Sequence, residues 1–86
     1  MSSIGNIKQQ VNQIGQSATS AAAQLVSLAQ KLEQNSAAIT QAIGDTSTGE
    51  DKSISTSFLQ ASKAVKDAAN ALQAAAQAAN KWVSKA

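Results

Sequence analysis

Residues able to carry out chemistry are few in this chain of 86 residues. It contains no histidine, cysteine or tyrosine, so the usual general bases, thiol nucleophiles and imidazole metal ligands are absent. Of its five acidic residues, only Asp45, Glu50 and Asp51 lie close together. Their spacing does not match the ligand positions of a calcium-binding EF-hand. Acidic residues at the start of a helix usually interact favourably with the positive end of the helix dipole instead. We expect no metal site, no cofactor and no enzymatic activity.

The basic residues give no sign of a nucleic-acid or membrane partner. Seven lysines against five acids leave a net charge of +2, and without arginine or interleaved aromatic residues the lysines form a poor nucleic-acid surface. No stretch approaches the ~18 continuous apolar residues of a membrane span. The opening residues MSSIGNIKQQ lack the apolar core of a secretory signal peptide. We therefore expect no nucleic acid, no membrane insertion and no cleaved signal.

Two long segments, rich in good helix formers and free of proline, flank the loop-like stretch GDTSTGEDKS. Apolar or small residues recur in each segment at alternating spacings of three and four, the pattern of helices supercoiled on a partner. The pattern predicts one domain spanning 1–86, with helices at about 4–43 and 50–84 joined by a loop at about 44–49. The residues of this repeat are Ile4, Ile7, Val11, Ile14, Ala18, Ala21, Leu25, Leu28, Leu32, Asn35, Ile39 and Ala42, then Ile54, Phe58, Ala61, Val65, Ala68, Leu72, Ala75, Ala79, Trp82 and Ala86.

The short connection requires the two helices to fold back on each other. Gly44 is suited to end the first helix in the left-handed conformation. One of Thr46, Ser47 and Thr48 is suited to cap the second. The fold class is therefore all-α, an antiparallel two-helix hairpin resembling a coiled coil. Its predicted core consists of Ile7, Val11, Ile14, Leu25, Leu28, Leu32, Phe58, Val65 and Leu72.

Small residues extend beyond one stripe, especially in the second helix. Alanine is the best helix former, so these residues could simply cover a solvated surface. A two-helix hairpin of this size, however, buries too little apolar surface to be very stable alone. The wide small surface therefore predicts packing on a second hairpin in a four-helix bundle. The predicted partner interface is Ala22, Ala29, Ala64, Ala69, Ala71, Ala76, Ala78, Trp82 and Val83.

Trp82 is the only tryptophan, and in an antiparallel hairpin it would lie near Ile4 and Ile7. Two roles fit this position equally well. The ring could close the open end of the hairpin as a core residue, or it could anchor a partner.

Two long helices joined by a short glycine-bearing loop resemble the WXG100 (ESAT-6-like) proteins of type VII secretion. In the turn AIGDTSTGE, Ile43 stands where that family has tryptophan, and Gly44 or Gly49 supplies the glycine. Phe58 lies where such proteins often have an aromatic residue. The final WVSKA has Ala86 where the family's export signal has an acid. The chain is thus similar to a divergent member, of the kind that accompanies LXG-type toxins.

This resemblance implies a non-enzymatic protein that forms a homodimer, or a heterodimer with a related helical hairpin or a larger secreted effector. The pair would be exported in the folded state or would act as an adaptor or chaperone. Its localisation would be secreted from a bacterium without a cleaved signal peptide, or otherwise cytoplasmic. A self-assembling structural subunit is the alternative, such as a type III secretion needle-like protein or a phage or surface filament protein. The needle family has proline in its turn, and this chain has none.

Overall fold

The computed structural model describes residues 3–43 and 49–86, with the exception of the Asp51 side chain. Two helices, α1 (Ile4–Ile43) and α2 (Glu50–Lys85), account for nearly all of these residues, and the described part contains no strand. The helices pack side by side in a rod with extents of 66 × 18 × 13 Å. The all-α helical hairpin predicted from the sequence is confirmed.

The two helices begin differently. At the start of α1 the Ser3 hydroxyl accepts a hydrogen bond from the Asn6 backbone N–H at 3.2 Å, which satisfies one of the donors left free at a helix N-terminus. At the start of α2 the cap is Gly49, with φ of 81° and no side-chain cap hydrogen bond. This left-handed conformation suits glycine because it has no Cβ. The caps predicted at Gly44, Thr46, Ser47 and Thr48 lie outside the described residues.

The closest packing between the helices involves small residues spaced seven apart, which we assign to heptad position a. These are Gly15, Ala22, Ala29 and Ser36 of α1, and Ser62, Ala69 and Ala76 of α2, all buried. A Cβ placed on Gly15 would lie 3.5 Å from the Cβ of Ala79 and 3.7 Å from the carbonyl oxygen of Ala76. The helices therefore approach closely because no large side chain separates them.

Heptad position d, beside position a, holds mostly larger residues. They are only partly buried: Val11, Ala18, Leu25, Leu32 and Ile39 of α1, and Phe58, Val65, Leu72 and Ala79 of α2. Six members of the predicted core lie here, namely Val11, Leu25, Leu32, Phe58, Val65 and Leu72. The other three predicted core residues, Ile7, Ile14 and Leu28, are 37%, 66% and 44% exposed. They do not belong to the closely packed interface of the hairpin, because α2 packs on the neighbouring a position.

Four alanines assigned to a partner interface from the sequence are instead part of the hairpin's own interface. Ala22 and Ala29 are fully buried, while Ala69 and Ala76 are 1% and 4% exposed. The physical reason is that alanine at facing positions lets the two backbones approach each other. These residues are buried between α1 and α2, so they have no surface left for another molecule.

Near the turn, hydroxyl groups replace alanine at position a. The Oγ atoms of Ser36 and Ser55 lie 2.5 Å apart, and the Ser36 hydroxyl also donates to the Ser55 carbonyl oxygen at 3.2 Å. The Ser62 hydroxyl lies 3.2 Å from the Ala29 carbonyl oxygen. Every buried side-chain polar atom in the described residues has a partner. The serines therefore occupy the interface without leaving an unsatisfied buried group.

Candidate functional site

The two long edges of the helix interface differ in chemistry, and an ion pair identifies the polar edge. Glu33 and Lys66 follow position d in their helices, at heptad position e, and the Lys66 Nζ pairs with the Glu33 Oε1 atom. Ser62 also donates to Glu33 Oε1 at 3.1 Å. The contact between Glu33 and Lys66 shows that the e positions of both helices lie along the same edge. The opposite edge therefore carries the g positions, which precede position a in each helix.

This polar edge perturbs one titratable group. The hydrogen bond from Lys66, then that from Ser62, and then the charge of Lys66 lower the pKa of Glu33 below its ordinary value. Both ionic side chains are about half exposed, so the pair is screened by solvent and contributes little to the net stability. The pair joins α1 to α2 along this edge.

The opposite edge is apolar except at Asn35, and we call it the g face. None of its residues is charged, and all but Ala21 are exposed. Its members are Ile7, Ile14, Ala21, Leu28, Asn35 and Ala42 of α1, with Ile54, Ala61, Ala68, Ala75 and Trp82 of α2. The partly exposed d residues lie directly beside it. Together the two positions present a broad apolar surface along one side of the rod.

Most of the large exposed apolar residues of the described chain lie on this face. They are Ile7, Ile14, Leu28, Ile54 and Trp82, each between 37% and 66% exposed. Val26 and Leu59 lie along the polar edge, and Ile4 lies at the start of α1. A contiguous exposed apolar surface of this kind commonly marks a site of protein–protein interaction.

The neighbouring c positions continue the small surface in α2. Ala64, Ala71 and Ala78 are exposed there, next to the g face on its outer side. Of the residues predicted for a partner interface, these three and Trp82 share one side of the molecule. Val83 lies at position a and is half-buried, so the structure places it towards α1 instead.

Trp82 stands near the open end of the hairpin, at the same end as Ile7. Its side chain is 41% exposed, so the ring is only partly covered by the two helices. A tryptophan with much of its surface open to solvent on an apolar face is suited to act as an anchor for a partner. The geometry thus favours the second of the two roles considered for this residue.

Sequence reasoning assigned Ile7, Ile14 and Leu28 to the hairpin core and left Ile54 out of the partner interface. The residues repeating at spacings of three and four alternate between positions d and g, so the sequence pattern alone treats the two positions as one stripe. A second repeat, one residue further along at Ala22, Ala29, Ala69 and Ala76, carries the signal that separates them. Small residues at that position mark where the two helices of the hairpin meet.

The described residues offer little for small-molecule or metal chemistry. They contain no pocket and no group of three or more side chains able to hold a metal ion. Neither described helix combines the length and the apolar character needed to cross a lipid bilayer. The exposed apolar residues make the g face the candidate functional site.

Comparisons with known proteins do not place the chain in a family: no protein-family model, curated protein or solved structure matches it.

Proposed function

We propose that this protein is a non-enzymatic interaction module that binds another helical hairpin through the g face. The resulting complex is a four-helix bundle, formed as a homodimer or a heterodimer. In this proposal the chain is a WXG100-like small protein that is exported by type VII secretion, or acts there as an adaptor or chaperone. The observation that carries the binding role is the uncharged apolar g face beside the partly exposed d residues.

The energetics of this face support association. Full burial of a large aliphatic side chain contributes about 1.5–3 kcal/mol. Ile14 is 66% exposed and Leu28 is 44% exposed, so covering such residues would contribute roughly 1 kcal/mol each. The hairpin itself buries mainly alanine and serine between its helices. A partner on the g face would supply the burial of large side chains that the isolated hairpin lacks.

The assignment to type VII secretion is supported by the resemblance described above, a helical hairpin with a glycine-bearing turn. Export is a separate part of the proposal and has a separate test. A tagged copy is produced in a bacterium that has a type VII system, with and without the ATPase of that system. We expect the protein in the medium only when the ATPase is present. Equal amounts in both media would contradict export by this route.

The binding role is tested with two alanines of α2 that are both exposed. Ala68 lies at the centre of the g face, and Ala74 lies on the outer, solvated side of the same helix, facing away from α1. Ala68→Arg would place a charge in the middle of the proposed interface, whereas Ala74→Arg would not. Both changes have the same small effect on helix propensity. We expect Ala68→Arg to abolish association and Ala74→Arg to leave it unchanged.

Association is measured as the mass in solution by light scattering over a concentration series, with helicity followed by circular dichroism. The wild-type chain alone tests the homodimer, and a mixture with a co-expressed hairpin from the same locus tests the heterodimer. A mass that keeps growing with concentration would favour the filament-forming alternative. If both arginine variants associate like the wild type, the g face is not the binding surface.

A further inference from the structure

We infer that the partner on the g face is a second copy of this chain, related by a two-fold axis that crosses the hairpin at the level of Ala21 and Ala68. This inference rests on the proposed function, because it names the occupant of the same face. It also fixes the direction of the second copy. The two rods run antiparallel, with α1 over its counterpart and α2 over its counterpart.

The level of each residue follows from contacts between the helices. Ala29 is opposite Ser62, and Ser36 is opposite Ser55. Each step of seven residues along α1 corresponds to seven residues back along α2, so Ala22 lies opposite Ala69. Ala21 and Ala68 each precede one of these residues, and they therefore share a level on the g face. This level is close to the middle of both helices, so two copies related there overlap along their full length.

About this level the residue sizes are symmetric in α2 and in the central part of the α1 face, whereas further out in α1 Ile7 is matched by Asn35. In α2, Ala68 has an alanine seven residues away on each side and a large residue fourteen away on each side, Ile54 and Trp82. In α1, Ala21 has a large residue seven away on each side, Ile14 and Leu28. A two-fold axis at this level sets each residue against the residue of the other copy that lies equally far from the axis in the opposite direction along the helix. It would therefore set Ile54 against the second copy's Trp82, and Ile14 against its Leu28.

The distribution of charge selects the antiparallel arrangement. The open end, formed by residues 3–21 and 71–86, has Lys8, Lys81 and Lys85 as its only charged side chains, a charge of +3. At the other end of the rod, the described residues Glu50 and Lys52 carry opposite charges. A parallel pair would bring the two +3 ends together. The antiparallel pair instead keeps the two +3 ends apart, which favours this orientation.

The size of the face suits a stable dimer. From residue 7 to residue 35 of α1 it is about 42 Å long at 1.5 Å per residue, and the rod is 18 Å wide. The product is roughly 750 Å² on each copy, close to the ~800 Å² per partner of a standard protein interface. A face used in this way by both copies is closed, so assembly stops at two chains.

The two-fold axis is tested by disulfide crosslinking, because the chain has no cysteine of its own. A residue on the axis faces its own counterpart, so we expect Ala68→Cys alone to form a disulfide-linked dimer as the main product under mild oxidation. Ala61→Cys and Ala75→Cys should link to each other when mixed, and neither should link alone. The matched control is Gln73→Cys, exposed on the polar edge of α2, which should remain unlinked.

Two outcomes would overturn the inference. If Ala68→Cys links only when mixed with Ala21→Cys, the copies are parallel, because that arrangement sets α1 over the other copy's α2. A wild-type chain that remains monomeric by light scattering would exclude the second copy as the partner. The proposed function would survive that result if a co-expressed hairpin still binds and Ala68→Arg, but not Ala74→Arg, prevents it. Loss of binding to both partners would contradict the inference and the proposed function together.

Discussion

Glu33 is the residue whose ionisation the fold alters most clearly. The Lys66 ammonium and the Ser62 hydroxyl both hydrogen-bond the Glu33 carboxylate, and they hold the pKa of Glu33 below its ordinary value. These contacts join α1 to α2, so they exist only when the hairpin is closed. The ionisation of Glu33 and the closure of the hairpin are therefore linked.

The sign of this linkage predicts a pH dependence. Because the pKa of Glu33 is lower in the folded state, its contribution to stability is present above the unfolded value of about 4.3 and is lost as the pH falls through the folded pKa. We expect the melting temperature of the wild type to decrease as the pH is lowered from about 5.5 to about 3. Glu33→Gln should decrease less over the same range, as measured by circular dichroism. Equal pH dependence in both proteins would show that Glu33 does not contribute.

At the scale of the helices, the small residues at position a determine how closely α1 and α2 approach. Ala22 is fully buried there, whereas the next residue, Ala23, is exposed. The two alanines belong to the same turn of α1 and differ mainly in the direction of their side chains. They form a matched pair for testing the interface.

We expect Ala22→Leu to destabilise the hairpin by about 1–3 kcal/mol, because a larger side chain between closely packed helices forces them apart. Ala23→Leu should change the stability by less than about 0.5 kcal/mol, as surface substitutions usually do. Urea unfolding followed by circular dichroism gives both values. Similar stabilities in the two variants would show that the a positions are not closely packed.

The same comparison explains how much the sequence could predict. Periodicity was enough for two antiparallel helices, because the repeat continues through both segments and breaks only at the turn. It was not enough to choose between adjacent stripes, since Leu28 and Ala29 both repeat every seven residues. Hydrophobicity favours burying leucine first, but close approach of two backbones requires the small residue at the contact. The apolar surface of each helix is wider than the other helix can cover. The large residues are therefore only partly buried.

The candidate site was predicted in part for the same reason. Ala64, Ala71, Ala78 and Trp82 were assigned to the partner interface, and they lie on the side of the g face. Ile14 and Leu28 were assigned to the core, although the structure exposes them on that face. These two groups can be told apart only from the axial register of the two helices and from the side of α1 on which α2 packs. That information comes from contacts such as the Ser62 hydroxyl with the Ala29 carbonyl, which composition and spacing do not contain.

For the whole molecule, the proposed association predicts a stability that depends on protein concentration. A dimer that forms only from folded chains gains about 1.4 kcal/mol for each tenfold rise in concentration. For domains of this size, this amount corresponds to an increase of a few degrees in melting temperature. We expect the wild type and Ala74→Arg to melt at higher temperatures as the concentration rises from about 5 to about 500 µM, a hundredfold range.

The Ala68→Arg variant is the comparison for this measurement. Its melting temperature should remain constant over the same range, because the charged side chain prevents association. A wild-type melting temperature that also stays constant would mean that the chain does not associate with itself at these concentrations. The stability of the hairpin would then come from a single molecule.

Because alanine repeats every seven residues, the two helices could also pack with α2 shifted along α1 by one heptad. If α2 slid along α1 by seven residues, most alanines would again meet small residues, so burial alone barely distinguishes the two arrangements. The Glu33 carboxylate does distinguish them, since a slide in one direction would set it against Gln73 and a slide in the other against Leu59. In either case Lys66 would lose its counter-ion. This surface ion pair thus contributes more to the choice of alignment than to stability, because only the observed alignment sets Lys66 beside Glu33.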